Sequence, residues 1–190
     1  MNLVDLTLLI RTGMAIYPGD PEVAITQVHT LEREGWNLHK LSLSTHTGTH
    51  VNVPAHMVAQ GARVDQLGLD RFCGSARLLR ATGPLPPAQG YFFEAPLPAL
   101  NPQDLAARGV TFVGFSLSVD LDLDLERSLL DMGIVVYENL INFGLLPSDR
   151  NFLFFGFPLL LTGGDGSPVR AVAEITSMSP PTGPGEGHAP

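Results

Sequence analysis

The sequence is short of cysteine, of lysine and of long apolar runs. Cys73 is the single cysteine among 190 residues, which excludes an intrachain disulfide and fits a reducing, cytoplasmic compartment. Lys40 is the single lysine, and lysine and arginine together number 11 against 19 acidic residues, for a formal net charge of -8. A basic stripe able to follow a phosphate backbone is missing, so neither nucleic acid nor an anionic membrane is an expected partner. The longest apolar stretch, Phe152 to Leu161, is interrupted by Gly156 and Pro158 and is too short to span a bilayer. Charged residues make up only 16% of the chain and hydrophobic ones 44%. A surface so lean in charge predicts that some apolar area is covered by self-association. The opening MNLVDLTLLIRTGMAIYPGD has no basic segment before its short apolar run, which Arg11 interrupts, so it reads as a first strand and not as a signal peptide.

What is present is a series of short β-like runs between glycine and proline punctuation, at 3–10, 23–30, 38–45, 76–81, 110–117, 134–137, 152–157 and 169–175. Leu41, Leu43 and Thr45 alternate with Ser42, Ser44 and His46, which predicts a strand with one buried face. Asn101 followed by Pro102, with Arg108 and Gly109 at the far end, predicts a short capped helix. A second helix is expected over Leu125–Met132, stopped by Gly133, and a third turn over Val64–Leu69. Asp120, Asp122 and Asp124 alternate with leucines and read as a strand edge with a wet acidic face. Gly83–Pro98 reads as a long surface loop and Ser179–Pro190 as an extended tail. Strands outnumber helices, so the fold class is α+β: one domain over 1–178, with a mixed sheet or barrel-like core and few helices, and a tail over 179–190.

Three of the six histidines fall within the eleven residues His46 to His56. One histidine alone is more simply a solvated loop residue or a satisfied core group. Three around a Thr-Gly-Thr turn favour a metal site, because imidazole is the commonest ligand for zinc and related ions. His46 is read as ending its strand, and Gly48 as letting the chain turn so that His50 returns toward the same point. His29, His39 and His188 lack partners at useful spacing. Trp36, Tyr17 and Phe115 suit either an aromatic substrate pocket or the core, and Arg170 suits a structural ion pair.

The segment HTGTHVNVPAH resembles the His-x-Gly-Thr-His-x-Asp-x-Pro-x-His signature of the kynurenine formamidase/cyclase family of metal-dependent hydrolases. The resemblance continues through Asp5-Leu6-Thr7, Tyr17-Pro18-Gly19-Asp20-Pro21, Ser118-Val119-Asp120, Glu138-Asn139-Leu140 and Ser167-Pro168-Val169-Arg170-Ala171, in order along nearly the whole chain. It implies the family's swivelling β/β/α fold and a homodimer or homotetramer. It also implies a divalent metal, zinc or manganese, with His46, His50 and Glu138 as ligands and His56 as the catalytic histidine that moves protons. The reaction implied is attack of metal-activated water on an amide, lactam or ester carbonyl of a small molecule, N-formylkynurenine being the best-known substrate class. Such chemistry is physically sound, since bound metal acidifies water and histidine has a suitable pKa for proton transfer.

Two positions depart from the signature. The family's bridging aspartate falls on Asn52, and the distal histidine ligand falls on Glu126. An amide oxygen binds one hard cation weakly and cannot bridge two as a carboxylate does, which predicts a single metal in place of a pair. Glu126 restores the lost carboxylate if it is a ligand; it is equally readable as a solvated helix residue. The rivals to hydrolysis are a cyclase or dehydratase using the metal as a Lewis acid, and a family member that binds a ligand without turnover.

Overall fold

The computed structural model describes residues 2–80, 84–95 and 100–175. The expected tail, 179–190, lies outside the described residues, as do 176–178. The strands are β1 (Asn2–Asp5), β2 (Ala24–His29), β3 (Leu38–Ser42), β4 (His50–Asn52), β5 (Cys73–Leu79), β6 (Gly90–Phe93), β7 (Phe112–Ser116), β8 (Val135–Leu140), β9 (Phe152–Phe155), β10 (Gly166–Pro168) and β11 (Val172–Ile175). The helices are α1 (Leu31–Glu34), α2 (Pro102–Ala107) and α3 (Leu123–Asp131). Nine strands form one mixed sheet in the order β1-β11-β9-β5-β6-β7-β8-β4-β10, and β2 and β3 form a separate ribbon. Its centre, β5 to β8, is parallel, and its flanks are antiparallel. Beyond β1 the chain curls back: the Leu6 amide donates to the Ala171 carbonyl and the Leu6 carbonyl accepts from Ile141, just past β8. This is the mixed, barrel-like α+β architecture expected.

Period-two alternation divides the central strands between two cores. Phe92, Phe112, Tyr137 and Phe154 point into the curl of the sheet. Tyr91, Phe93, Val113 and Val136 point outward, where α2 and α3 cover them through Leu105, Leu129 and Leu130. A parallel strand buried on both faces reads as a continuous apolar run, which is why Tyr91-Phe92-Phe93 forms β6 inside the segment expected to be a surface loop. That expectation is corrected; glycine and proline dominate the composition there, but three consecutive aromatics bury more apolar surface than any loop could leave exposed.

Other expectations shift in detail. The run 169–175 is shorter than expected: β11 starts only at Val172, and Val169 makes an isolated bridge to Pro158. β3 is exposed on both faces, Leu38 and Leu41 included, so its alternation does not mark a buried face within this chain. The acidic stretch is no strand edge: Asp122 caps α3 by accepting from the Asp124 and Leu125 amides. The α2 helix forms with Asn101 as its cap, as expected, and the third turn is two short 3-10 segments, Val64–Gln66 and Leu69–Arg71. Arg170 forms a two-pronged ion pair with Asp5, tying the region before β11 to β1.

Candidate metal centre

β4 lies between β8 and β10, and its register sets the site. His50 is directly opposite Glu138, and Asn52 is opposite Val136. Because side chains two apart share a face, His50, Asn52 and Glu138 all point to the outer side of the sheet, where α3 brings Glu126. Glu138 therefore belongs to β8 and does not follow it. Asn139 after it adopts a left-handed φ of 56°, a conformation asparagine tolerates better than most residues. Its amide donates to the Gly48 carbonyl at 3.1 Å, and its carbonyl accepts the Thr49 hydroxyl at 2.7 Å. Gly48 itself has φ +64°, which requires glycine's freedom. The histidine turn and the Glu138 strand are thus clamped together.

His46 does not end a strand, since β3 stops at Ser42; it sits in the turn before β4. Its ring centroid lies 5.2 Å from that of His50 and 4.1 Å from that of His56. His56 closes the 3-10 turn Pro54–His56 directly after β4.

The hydrogen bonds join these residues into one network. Asn52 donates its amide hydrogens to Glu126 Oε1 and Glu138 Oε1, each at 2.6 Å. Its carbonyl oxygen lies 2.8 Å from His46 Nδ1. His50 donates from Nδ1 to the Gly48 carbonyl at 2.9 Å, because a carbonyl can only accept. Its Nε2 then faces Glu138 Oε1 at 3.7 Å, too long for a hydrogen bond. Glu126, expected either as a ligand or as a solvated helix residue, is only 3% exposed and lies in this network.

Burial and the neighbouring Glu138 charge push the Glu126 carboxyl up to about 7. Burial acts the same way on Glu138, but the His50 imidazole beside it and the Asn52 hydrogen bond outweigh it and hold that carboxyl below its ordinary value. Burial, with the His46 charge second, lowers His56.

One carboxylate here was not anticipated from the sequence. Asp165, just before β10, places Oδ2 at 2.9 Å from His46 Nε2 and 3.3 Å from His56 Nδ1. Ligand atoms of His46, His56 and Asp165 lie within 4.8 Å of one another. Burial raises Asp165, but hydrogen bonds from His46, Thr45 and His56 carry it down to about 2. Its sequence signal was the isolated acid in Gly163-Gly164-Asp165-Gly166, immediately before the Ser167–Ala171 run. Trp36 and Tyr17 are exposed, and Phe115 is core.

The donor set suits a divalent cation. It joins imidazole nitrogens to carboxylate and amide oxygens, the mixture that zinc and manganese accept. An imidazole whose far nitrogen donates to a backbone carbonyl, as in His50, is the usual orientation of a metal-binding histidine.

Comparisons with known proteins agree with this picture. The family profile described as "Putative cyclase" matches residues 4–108. The kynurenine formamidase of Salinibacter ruber (strain DSM 13855 / M31) is 33% identical, covering 90% of this chain and 97% of that protein. Isatin hydrolase A from Ralstonia solanacearum superposes with a TM-score of 0.74 at 19% identity, covering 90% of this chain and 91% of that one. A potential metal-dependent hydrolase with cyclase activity gives 0.65 at 21% identity, covering 90% and 96%.

Proposed function

The chain belongs to the cyclase family of metal-dependent hydrolases that includes kynurenine formamidase, and from that premise we propose which of its residues perform the hydrolysis and on what. The protein is a metal-dependent hydrolase of the arylformamidase type. We assign it one divalent cation, zinc or manganese, held by His46, His50 and Glu138, with the Asn52 oxygen and Glu126 completing the set. The observation that carries this reading is His50: its Nδ1 is engaged by Gly48, and its Nε2 faces the Glu138 carboxylate across 3.7 Å. Two potential ligand atoms thus converge from facing strands at a spacing that one cation can share.

When bound, the cation supplies Lewis acidity to a carbonyl oxygen and lowers the pKa of water. The chain supplies the rest. His50, Asn52 and Glu126 keep the floor of the site dry, and Glu138 sets its charge. His56 stands at the opening with Nδ1 toward Asp165, which directs Nε2 to a substrate. It takes a proton from the attacking water and delivers one to the leaving nitrogen or oxygen. The substrate class is the amide, lactam or ester of a small aromatic molecule, with N-formylkynurenine first among candidates.

A homodimer or homotetramer and a cytoplasmic setting complete the proposal. The β2–β3 ribbon supports the former, since Leu38 and Leu41 are exposed on it, Trp36 is exposed just before β3, and an isolated two-stranded ribbon is marginal in water. The lone Cys73 supports the latter. Elemental analysis of the purified protein should give one metal equivalent per chain, lost in His46→Ala, together with hydrolysis of N-formylkynurenine. Two tightly held equivalents would sink the single-cation assignment, and none after incubation with zinc and manganese would sink the whole ligand set. Light scattering of wild type and Leu41→Glu tests the assembly: a monomeric wild type would refute it.

A further inference from the structure

The opening of the site holds a carboxylate that the proposed ligand set leaves free. One oxygen of Asp165, Oδ2, meets both His46 Nε2 and His56 Nδ1. The other, Oδ1, accepts the Thr45 hydroxyl at 2.9 Å, and the Asp165 backbone carbonyl accepts the Val53 amide at 3.1 Å. Gly166 then pairs with Asn52 in the sheet. A Cβ on Gly166 would come within 2.9 Å of His46 Cε1 and 2.7 Å of the Val51 carbonyl, so glycine there is what lets the His46 ring lie against β10. Asp165 is therefore fixed to the sheet on one side and to the histidine turn on the other.

The consequences for the two imidazoles differ. With Nε2 of His46 engaged by Asp165, Nδ1 is the nitrogen turned toward Asn52 and the buried carboxylates. With Nδ1 of His56 engaged, Nε2 is the nitrogen left to exchange a proton. We propose that Asp165 is a positioning residue that sets the ring orientation and tautomer of both His46 and His56, joining the ligand side of the site to the proton-transfer side. The proposal rests on the reading of His46 as a ligand and His56 as the proton-transfer group. A carboxylate on the far nitrogen of a metal-binding imidazole orients it and raises its basicity. A carboxylate on the far nitrogen of a proton-transferring imidazole holds the productive tautomer. Here a single oxygen does both.

The test is a double-mutant cycle on the metal-loaded protein, reading metal affinity by manganese or zinc titration and kcat and KM on N-formylkynurenine. Asp165→Ala should weaken the metal about 10- to 100-fold and, at saturating metal, lower kcat by a similar factor with KM little changed. In the His56→Ala background it should still weaken the metal but lower kcat no further, because the group it positions is gone. Asp165→Asn, which keeps the side-chain volume, should show the same pattern with a near-native unfolding midpoint, and guards against misfolding of the alanine variant. An equal kcat loss in both backgrounds overturns the coupling. Complete loss of metal in Asp165→Ala, matching His46→Ala, also overturns it, because Asp165 would then be a ligand. A wild-type protein that holds no metal overturns the functional reading and this one together, so the wild-type measurement separates the two failures.

Discussion

The floor of the site and its mouth both combine imidazole with carboxylate and behave differently. His50, Asn52 and Glu126 are 1–4% exposed and stand on β4 and α3, held by sheet register and helix packing. His46, His56 and Asp165 leave 19–41% of their side chains exposed and come from turns flanking β4 and β10. In the floor, a polar group without a partner is costly, so every donor is spent and the arrangement is rigid. In the mouth, water substitutes for missing partners, so imidazoles can change partners as protons move. On the proposed assignment the buried floor holds charge, His56 at the mouth moves it, and His46 stands between the two.

The sharpest break of that division is His50→Ala against His56→Ala. The first should remove the metal and take activity to background, a larger loss than the about 100-fold of an outer-partner change. The second should keep one metal equivalent and lower kcat by about 10²- to 10⁴-fold. Metal lost in both variants, by elemental analysis, would erase the distinction between floor and mouth.

Asn52→Asp probes the floor alone. It replaces two donated hydrogen bonds with a third carboxylate against Glu126 and Glu138, so the metal-free protein should lose about 1–3 kcal/mol by denaturant titration. Excess manganese should restore it and raise the stoichiometry toward two. An unchanged metal-free stability would show that the amide is not what reconciles the two glutamates.

The effect that depends on pH concerns Glu126. Its carboxyl sits at about 7 in the folded chain against an ordinary 4.5, so the metal-free folded state binds a proton that the unfolded chain has released between those values. Stability should decline as pH rises from about 4.5 to about 7, by about 3 kcal/mol at most, and level off above. Glu126→Gln should flatten that decline. Melts at pH 5 and pH 8 with identical differences in both proteins would refute it.

The legible part of the sequence was whatever is local. The histidine turn, the Asn101 cap of α2 and the Gly133 stop after α3 each depend on neighbours within a few residues, and each is where the pattern put it. What long-range pairing decides was less legible. β6 carries no alternation because both its faces are buried, and its flanking prolines and glycines hid it. β3 alternates with no core beneath it in this chain. Glu126 looked equally like a solvated helix residue, and only the packing of α3 on the β4–β8 face removes that ambiguity. Asp165 sits 119 residues from His46, a separation no local spacing rule spans.

That separation orders events during synthesis. The three histidines emerge together, early, but Glu126 pairs with Asn52 across 74 residues and Glu138 across 86. β4 is flanked by β8 and β10, and among the described residues β1 pairs with β11, the last strand described. A ribosome-bound chain lacking its final strands therefore carries the imidazoles without the carboxylates or the sheet that fix them. Contacts so distant in sequence form slowly. On the proposed ligand set, metal capture then waits for β8 and β10 to join β4, and follows the folding of the sheet instead of nucleating it.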